Sequence, residues 1–364
     1  MSQTTETHTE TRAPNASAQH AATSPPSQEE TGKRLLSVVI PAYNVESYIS
    51  ECLASVFKQP DLDKYVDVIV IVDGATDTTL EMVDSTLDHF GTRAEVRFQE
   101  NGGLSAARNA GLLLATTDYV TFLDGDDVWL DNYLESVLPY LLNSNNDVDI
   151  LEYDAIRMTE DGRQLYRWKV AAAPEGEVQQ ITRDKFIDVF RCYSWARVFR
   201  TALVRTHPFP SGRRYEDSAT TPWYYWDSRQ SLSVGTPLIG YRVRAESILA
   251  SPRAQDIDDI AATTREAADM YARTKTTYWQ RVAHYSFQQA CGRIVYQPLR
   301  TWSASIRLSR DAVAGVPPPA GHMRWLQMHA TFLYTYLLYL KNSSERAFIR
   351  FAPPKLVRLL FPRR

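Results

Sequence analysis

Between residues 35 and 123, short apolar β-branched runs alternate four times with stretches whose apolar residues recur at helical spacing, and this alternation restricts the fold most. Residues 35–40, closed by Pro41, and residues 66–72, 95–98 and 119–123 read as strands. Helices are expected over 46–58, where Ile49, Cys52, Leu53, Val56 and Phe57 share a face, over 78–90, and over the Ala-rich 105–115. A run as apolar as 66–72 suits a strand covered on both faces, as in a parallel sheet flanked by helices. Each strand is followed by a polar loop, at 41–44, 73–77, 100–103 and 124–127. In an open parallel α/β sheet such loops gather at the carboxyl edge, where ligands bind.

The fourth loop concentrates the chemistry, with Asp124, Asp126 and Asp127 close together at the end of an apolar run. Hard divalent cations take oxygen ligands and bind through one or two carboxylates plus substrate phosphates, which makes Asp124 and Asp126 candidate Mg2+ or Mn2+ contacts. Gly125, lacking a Cβ, would let a ligand approach the backbone. Asp127 has a plainer use as the cap of a helix starting near Trp129.

Farther on, a strand is expected at 148–153 and a closing strand at 237–243, separated by a loosely patterned stretch. Within that stretch Trp195, Arg197 and Phe199 alternate, and Glu216-Asp217 precedes the aromatic segment 222–226. Beyond residue 255 the chain reads as helical, including a core helix over 325–340. No apolar run reaches the 18 residues of a spanning helix. Residues 1–33, rich in Thr, Ser, Ala, Pro and Glu, read as a disordered tail.

Residues 341–364 hold seven Lys or Arg against the single acid Glu345, interleaved with apolar residues. That pattern suits an anionic membrane surface, and equally a tail packed on its own domain or on a partner chain. The 364 residues carry a net charge of −3, which gives no basic excess for nucleic acid as the main partner. Cys52, Cys192 and Cys291 are widely spaced without a C-x-x-C pair, so neither a disulfide framework nor a zinc site is expected, and a reducing, cytoplasmic setting follows.

Taken together, VVIPAYN at 38–44, VDGATD at 72–77, ENGGLSAARNAG at 100–111, FLDGDDVWL at 122–130 and YED at 215–217 resemble the inverting glycosyltransferases of family 2, with YRVRAES at 241–247 similar to their closing basic strand end. The resemblance implies a GT-A fold, an α/β, Rossmann-like, mainly parallel sheet flanked by helices, over 34–250. A helical region at 251–340 and the basic tail at 341–364 would follow it. It further implies that Pro41, Ala42, Tyr43, Asp73, Asn101 and Arg108 line the nucleotide pocket. Asp124, Gly125 and Asp126 would correspond to the family's Asp-x-Asp motif, with Asp126 the main ligand of Mn2+ or Mg2+. Arg244 and Ser247 would reach the diphosphate, and Asp217 would be the catalytic base. Many relatives carry two adjacent acids in the second motif, where this chain has Val72 and Asp73. The acid that is kept is the one expected at the nucleotide.

The expected reaction moves a sugar from a nucleotide-diphosphate donor, a UDP-sugar, to a hydroxyl of a cell-envelope glycan, polyol-phosphate or lipid-linked acceptor. Gln164-Leu165-Tyr166-Arg167-Trp168 fits the Gln-x-x-Arg-Trp formula of processive relatives, but it precedes Glu216-Asp217 and no spanning segments surround it. Addition of one or a few sugars is therefore expected, by a protein in the cytoplasm that attaches peripherally to the inner membrane face if the basic tail binds lipid. The competing readings are a nucleotide-sugar-binding assembly partner without catalysis, and a nucleotidyltransferase, which would release pyrophosphate instead of nucleoside diphosphate.

Overall fold

The computed structural model describes residues 34–92, 94–143, 147–244, 253–318, 331 and 335. The expectations for 1–33, Ser247, the helix at 325–340 apart from residues 331 and 335, and the tail at 341–364 lie outside the described residues. The strands are β1 (Leu36–Ala42), β2 (Val66–Asp73), β3 (Glu95–Gln99), β4 (Tyr119–Phe122), β5 (Val128–Trp129), β6 (Ile150–Met158), β7 (Gln164–Trp168), β8 (Val178–Ile181), β9 (Arg197–Arg200) and β10 (Ser231–Arg242). Helices α1 (Ile49–Phe57), α2 (Leu62–Tyr65), α3 (Thr79–Phe90), α4 (Leu104–Leu114) and α5 (Tyr133–Leu142) accompany the first half. Helices α6 (Arg183–Val189), α7 (Thr201–Thr206), α8 (Glu216–Asp227), α9 (Asp256–Thr274), α10 (Thr277–Ile294) and α11 (Trp302–Ala312) accompany the second.

Among the described residues the strands form one sheet in the order β3-β2-β1-β4-β9-β6-β10-β5, with β7 added on β6 and β8 on β10. The first four strands are parallel to one another, while β9 runs antiparallel between β4 and β6. Along β1 the side chains alternate: Leu36, Val38, Ile40 and Ala42 join the core beneath α1, α3 and α5, and Val39 points into the other core, beside α4. Burial on both faces explains why these strands read as continuous apolar runs. Gly111 lets α4 lie against that second face, because a Cβ there would stand 2.2 Å from a Val39 methyl carbon. Among the described residues no helix is long and apolar enough to cross a membrane.

Three local expectations are corrected. Pro41 does not close β1, which continues to Ala42. Pairing with β4 ends at Val39–Phe122, so the missing Pro41 N–H interrupts no ladder on that side. Residues 128–129 form β5 rather than a helix start, pairing antiparallel with Ile239 and Gly240, and α5 begins only at Tyr133. The closing strand starts at Ser231, six residues before the expected 237, with register shifts around Pro237. Pro237 and Gly235 mask the first half of this strand in the sequence because each interrupts regular pairing.

Candidate active site

The four loops converge at the carboxyl edge, tied together by hydrogen bonds. Asn44, in the left-handed region at φ 49°, accepts from the Thr76 N–H at 2.8 Å, and Glu46 accepts from the Thr78 N–H at 2.9 Å. The first loop is thus fixed to the second. Asp73, at the end of β2, accepts from the Gln99 amide at 2.7 Å and from the N–H groups of Gly102 and Gly103 at 2.9 and 2.8 Å. Gly74 adopts φ +66°, and a Cβ there would lie 2.5 Å from the Asn101 nitrogen, so only glycine lets the second and third loops approach this closely. Asp73 is buried and Asn101 exposed. Pro41 and Ala42 are buried within β1, and Tyr43 is 49% exposed at its end.

Arg108 lies against the acids of the site. It is 1% exposed beneath the site, and its Nη1 donates to Glu216 Oε1 at 2.7 Å and Asp217 Oδ1 at 3.0 Å, while Nη2 donates to Asp124 Oδ1 at 2.9 Å. A guanidinium suits this task because its donors form a fixed fork. Burial works against its charge, but Asp217, Asp124 and Glu216 outweigh that and raise its pKa. One side chain of α4 therefore joins the fourth loop to the acidic pair.

The acids of the fourth loop differ in use. Asp124 and Asp126 keep partly exposed side chains, 23% and 17%, and Asp126 Oδ2 stands 2.6 Å from Arg244 Nε. Arg244 thus meets the acid loop itself, beside the Tyr48 ring. Burial pushes the Asp126 carboxyl up; Asp124 adds to that and Arg244 opposes it. Asp127 caps no helix: it is buried, with Oδ1 accepting from the Arg242 N–H at 2.8 Å and Oδ2 without a hydrogen-bond partner. Burial, then the charges of Asp126 and Asp124, hold it well above the usual carboxylate range.

Gly125 does not open the backbone to a ligand. Its missing Cβ would point at the Pro41 carbonyl oxygen, 3.0 Å away, and at Val45 and Ile49, so the glycine lets the acid loop pack under the first loop. The donor set on Asp124 and Asp126 fits a hard cation that completes its shell with phosphate and water, since each carboxylate engages one arginine through a single oxygen. Among the described residues no cluster of three or more such side chains forms a self-sufficient metal cage.

Asp217 lies in the first turn of α8, 16% exposed, held by Arg108 and by Ser194, whose hydroxyl donates to Oδ1 at 2.6 Å and whose N–H donates to Oδ2 at 3.2 Å. Beside it Glu216 is buried, and burial followed by the charge of Asp217 pushes its carboxyl up to about 7. The preceding Tyr215 adopts a left-handed φ of 62°. Its hydroxyl donates to Asp256 at 3.3 Å, Arg293 lies over its ring, and the Arg214 N–H donates to Asp259 at 3.0 Å. Helices α9 and α10 thus secure the turn that delivers Asp217. Sequence reading missed Ser194, Arg242 and this clamp, because each acts through contacts 20 or more residues away.

Known proteins resemble this chain in sequence and in fold. Glycosyltransferase GlyA of Streptococcus pneumoniae is 29% identical over 227 residues, covering 58% of this chain and 31% of that protein. Minor teichoic acid biosynthesis protein GgaB of Bacillus subtilis is 31% identical over 115 residues, 32% of this chain and 13% of that protein. The chain thus spans under a third of the length of either relative. The crystal structure of S. aureus TarS 1-349 in complex with UDP-GlcNAc, 21% identical, superposes with a TM-score of 0.65 over 87% of this chain and 91% of that one, and shares the GT-A fold. The glycosyl transferase family 2 model matches residues 37–207, which hold all four loops, and this segment is similar to that glycosyltransferase family.

Proposed function

We propose that the chain transfers a sugar from a UDP-sugar to a hydroxyl of a phosphate-bearing cell-envelope glycan, with Asp217 as general base and inversion at the anomeric carbon. The observation that carries this reading is the single guanidinium of Arg108, which holds Asp217 and Asp124 at once and so fixes the base against the acids of the fourth loop. The UDP-GlcNAc bound to TarS and the teichoic acid role in the name of GgaB support the donor and acceptor classes.

The acceptor O–H is far too weakly acidic to ionise at neutral pH, so a carboxylate must take its proton as the new C–O bond forms. Ser194 and Arg108 both occupy Asp217 Oδ1, and Oδ2 receives one backbone N–H, which leaves Oδ2 the freer acceptor for that proton. As the acceptor oxygen bonds to the anomeric carbon, the bond to the diphosphate breaks and UDP departs. A Mg2+ or Mn2+ ion held by Asp126 and Asp124 would act as a Lewis acid on the leaving diphosphate. Asp73 holds the third loop in place, and Tyr43 and Asn101 supply the exposed surface for the nucleotide. Arg244, paired with Asp126, is in reach of the same phosphates.

The test is release of UDP from a panel of nucleotide sugars with Mg2+ or Mn2+, for the wild type, Asp217→Asn and Asp126→Asn. Loss of the base is expected to lower kcat by about 10²- to 10⁴-fold. A fully active Asp217→Asn would overturn the role of Asp217, and pyrophosphate as product would favour the nucleotidyltransferase. Tight donor binding without turnover, even with acceptors present, would favour the inactive assembly partner.

A further inference from the structure

Between Asp217 and the acid loop lies an aromatic cluster that the transfer mechanism leaves unused. Tyr193 and Trp195 flank Ser194, the residue bonded to Asp217, and stack at 5.1 Å. Trp168 touches both, at 4.9 and 5.4 Å, and meets Tyr241 of β10 at 5.0 Å. The next residue after Tyr241 is Arg242, whose Nε donates to the Asp126 carbonyl at 2.8 Å. The cluster therefore runs from the base to the acids. Trp195 is buried, while Trp168, Tyr193 and Tyr241 are half-buried.

Arg157 lies on this cluster, its guanidinium 4.7 Å from the Trp168 ring and 5.7 Å from that of Tyr241. Arg108, Arg242 and Arg244 each meet a carboxylate. Arg157 meets none among the described residues: its Nη1 donates to the Tyr166 hydroxyl at 3.1 Å, and its shielded Nε has no hydrogen-bond partner. The charges of Arg157 and Arg191 on one side and Asp217 on the other all act on the Tyr193 phenol. A guanidinium seated over aromatic rings keeps its charge and N–H donors, the groups that grip a phosphate.

We infer that Arg157 and the Trp168–Tyr193–Tyr241 cluster form the acceptor subsite, which takes a polyol or sugar carrying a phosphate. The C–H face of the acceptor rests on the rings, and its phosphate pairs with Arg157. This places the attacking hydroxyl beside Asp217. The inference rests on the transfer reading for its role, but the subsite is testable without turnover.

The experiment is calorimetric binding of a soluble glycerol-phosphate oligomer to the full chain, with free glycerol as the phosphate-free control and UDP titrated separately. Replacing one charged hydrogen-bonding partner is expected to weaken oligomer binding about tenfold or more in Arg157→Gln, with partial recovery in Arg157→Lys. Trp168→Phe, which keeps a ring in the packed cluster, is expected to weaken it less than Trp168→Leu. Equal oligomer affinity in wild type and Arg157→Gln would overturn the subsite, as would absence of binding by the wild type. So would a loss confined to UDP, which would assign Arg157 to the donor. Binding of the same oligomer on a lipid diphosphate in detergent separates a polymer from a lipid-linked source: the form bound more tightly is the source. A chain that binds the oligomer through Arg157 yet releases UDP from no donor would keep the subsite and sink the transfer reading.

Discussion

The two halves of the sheet edge are built by different rules. From β1 to β4 the strands are parallel, a helix crosses between each consecutive pair, and each loop presents its residues where its own strand ends. From β6 to β10 the strands are mixed in direction, β9 and β10 flank β6 out of chain order, and the site residues arrive from a 3-10 turn, a helix start and a strand end. The first half carries motifs because local chain geometry makes the site. The second carries almost none, since its site is assembled by packing, and Arg108 is the side chain that crosses between them.

Breaking that crossing has the largest expected effect. Arg108→Met leaves three carboxylates without their buried cation, and loss of one partner of a buried ionic network costs about 3–5 kcal/mol. Urea unfolding at neutral pH measures it, and transfer should fall with it. If stability were unchanged, the two halves would be held by something other than this guanidinium. Gly74→Ala attacks the first half alone: a left-handed alanine pressed against the Asn101 nitrogen is expected to cost about 1–3 kcal/mol of strain and to raise the donor KM more than it lowers kcat. An unaltered donor KM would separate the second loop from nucleotide binding.

Glu216→Gln sharpens the second half. The folded chain holds a proton on Glu216 up to about pH 7, whereas the unfolded chain releases it near the ordinary 4.5. The stability this group contributes is therefore full below about pH 4.5 and lost as pH rises through about 7. Relative to the wild type, Glu216→Gln should gain stability between pH 5 and pH 8, by at most about 1.4 kcal/mol per pH unit. A difference constant with pH would mean that Arg108 keeps Glu216 ionised. Removal of residues 341–364 has the smallest expected effect on catalysis. Flotation with anionic liposomes should drop, by about 1 kcal/mol for each basic residue lost from the surface, and unchanged flotation would assign the tail to a protein contact.

How far each part could be read follows from the same division. The four strands, the loops at 41–44, 73–77, 100–103 and 124–127, and the acids Asp73, Asp124 and Asp126 were legible because strand period and loop position fix where their side chains emerge. Glycine was legible as a requirement but not as a direction. Gly74 serves the loop contact, and Gly125 serves packing against Pro41 instead of ligand approach. Asp127 looked like its neighbours and became a buried partner of the Arg242 backbone.

By itself, the sequence determined the layered α/β plan and the carboxyl edge on which the acids gather. Periodicity and chain reversal are local, so neighbouring residues suffice to specify them. The tertiary structure alone decided that Arg108 lies beneath the acids, that Ser194 and Arg108 orient Asp217, and that α9 and α10 hold the strained Tyr215 turn. The partners in those contacts stand 23 to 109 residues apart along the chain, and only packing of the whole sheet brings such charges and hydroxyls within hydrogen-bond reach.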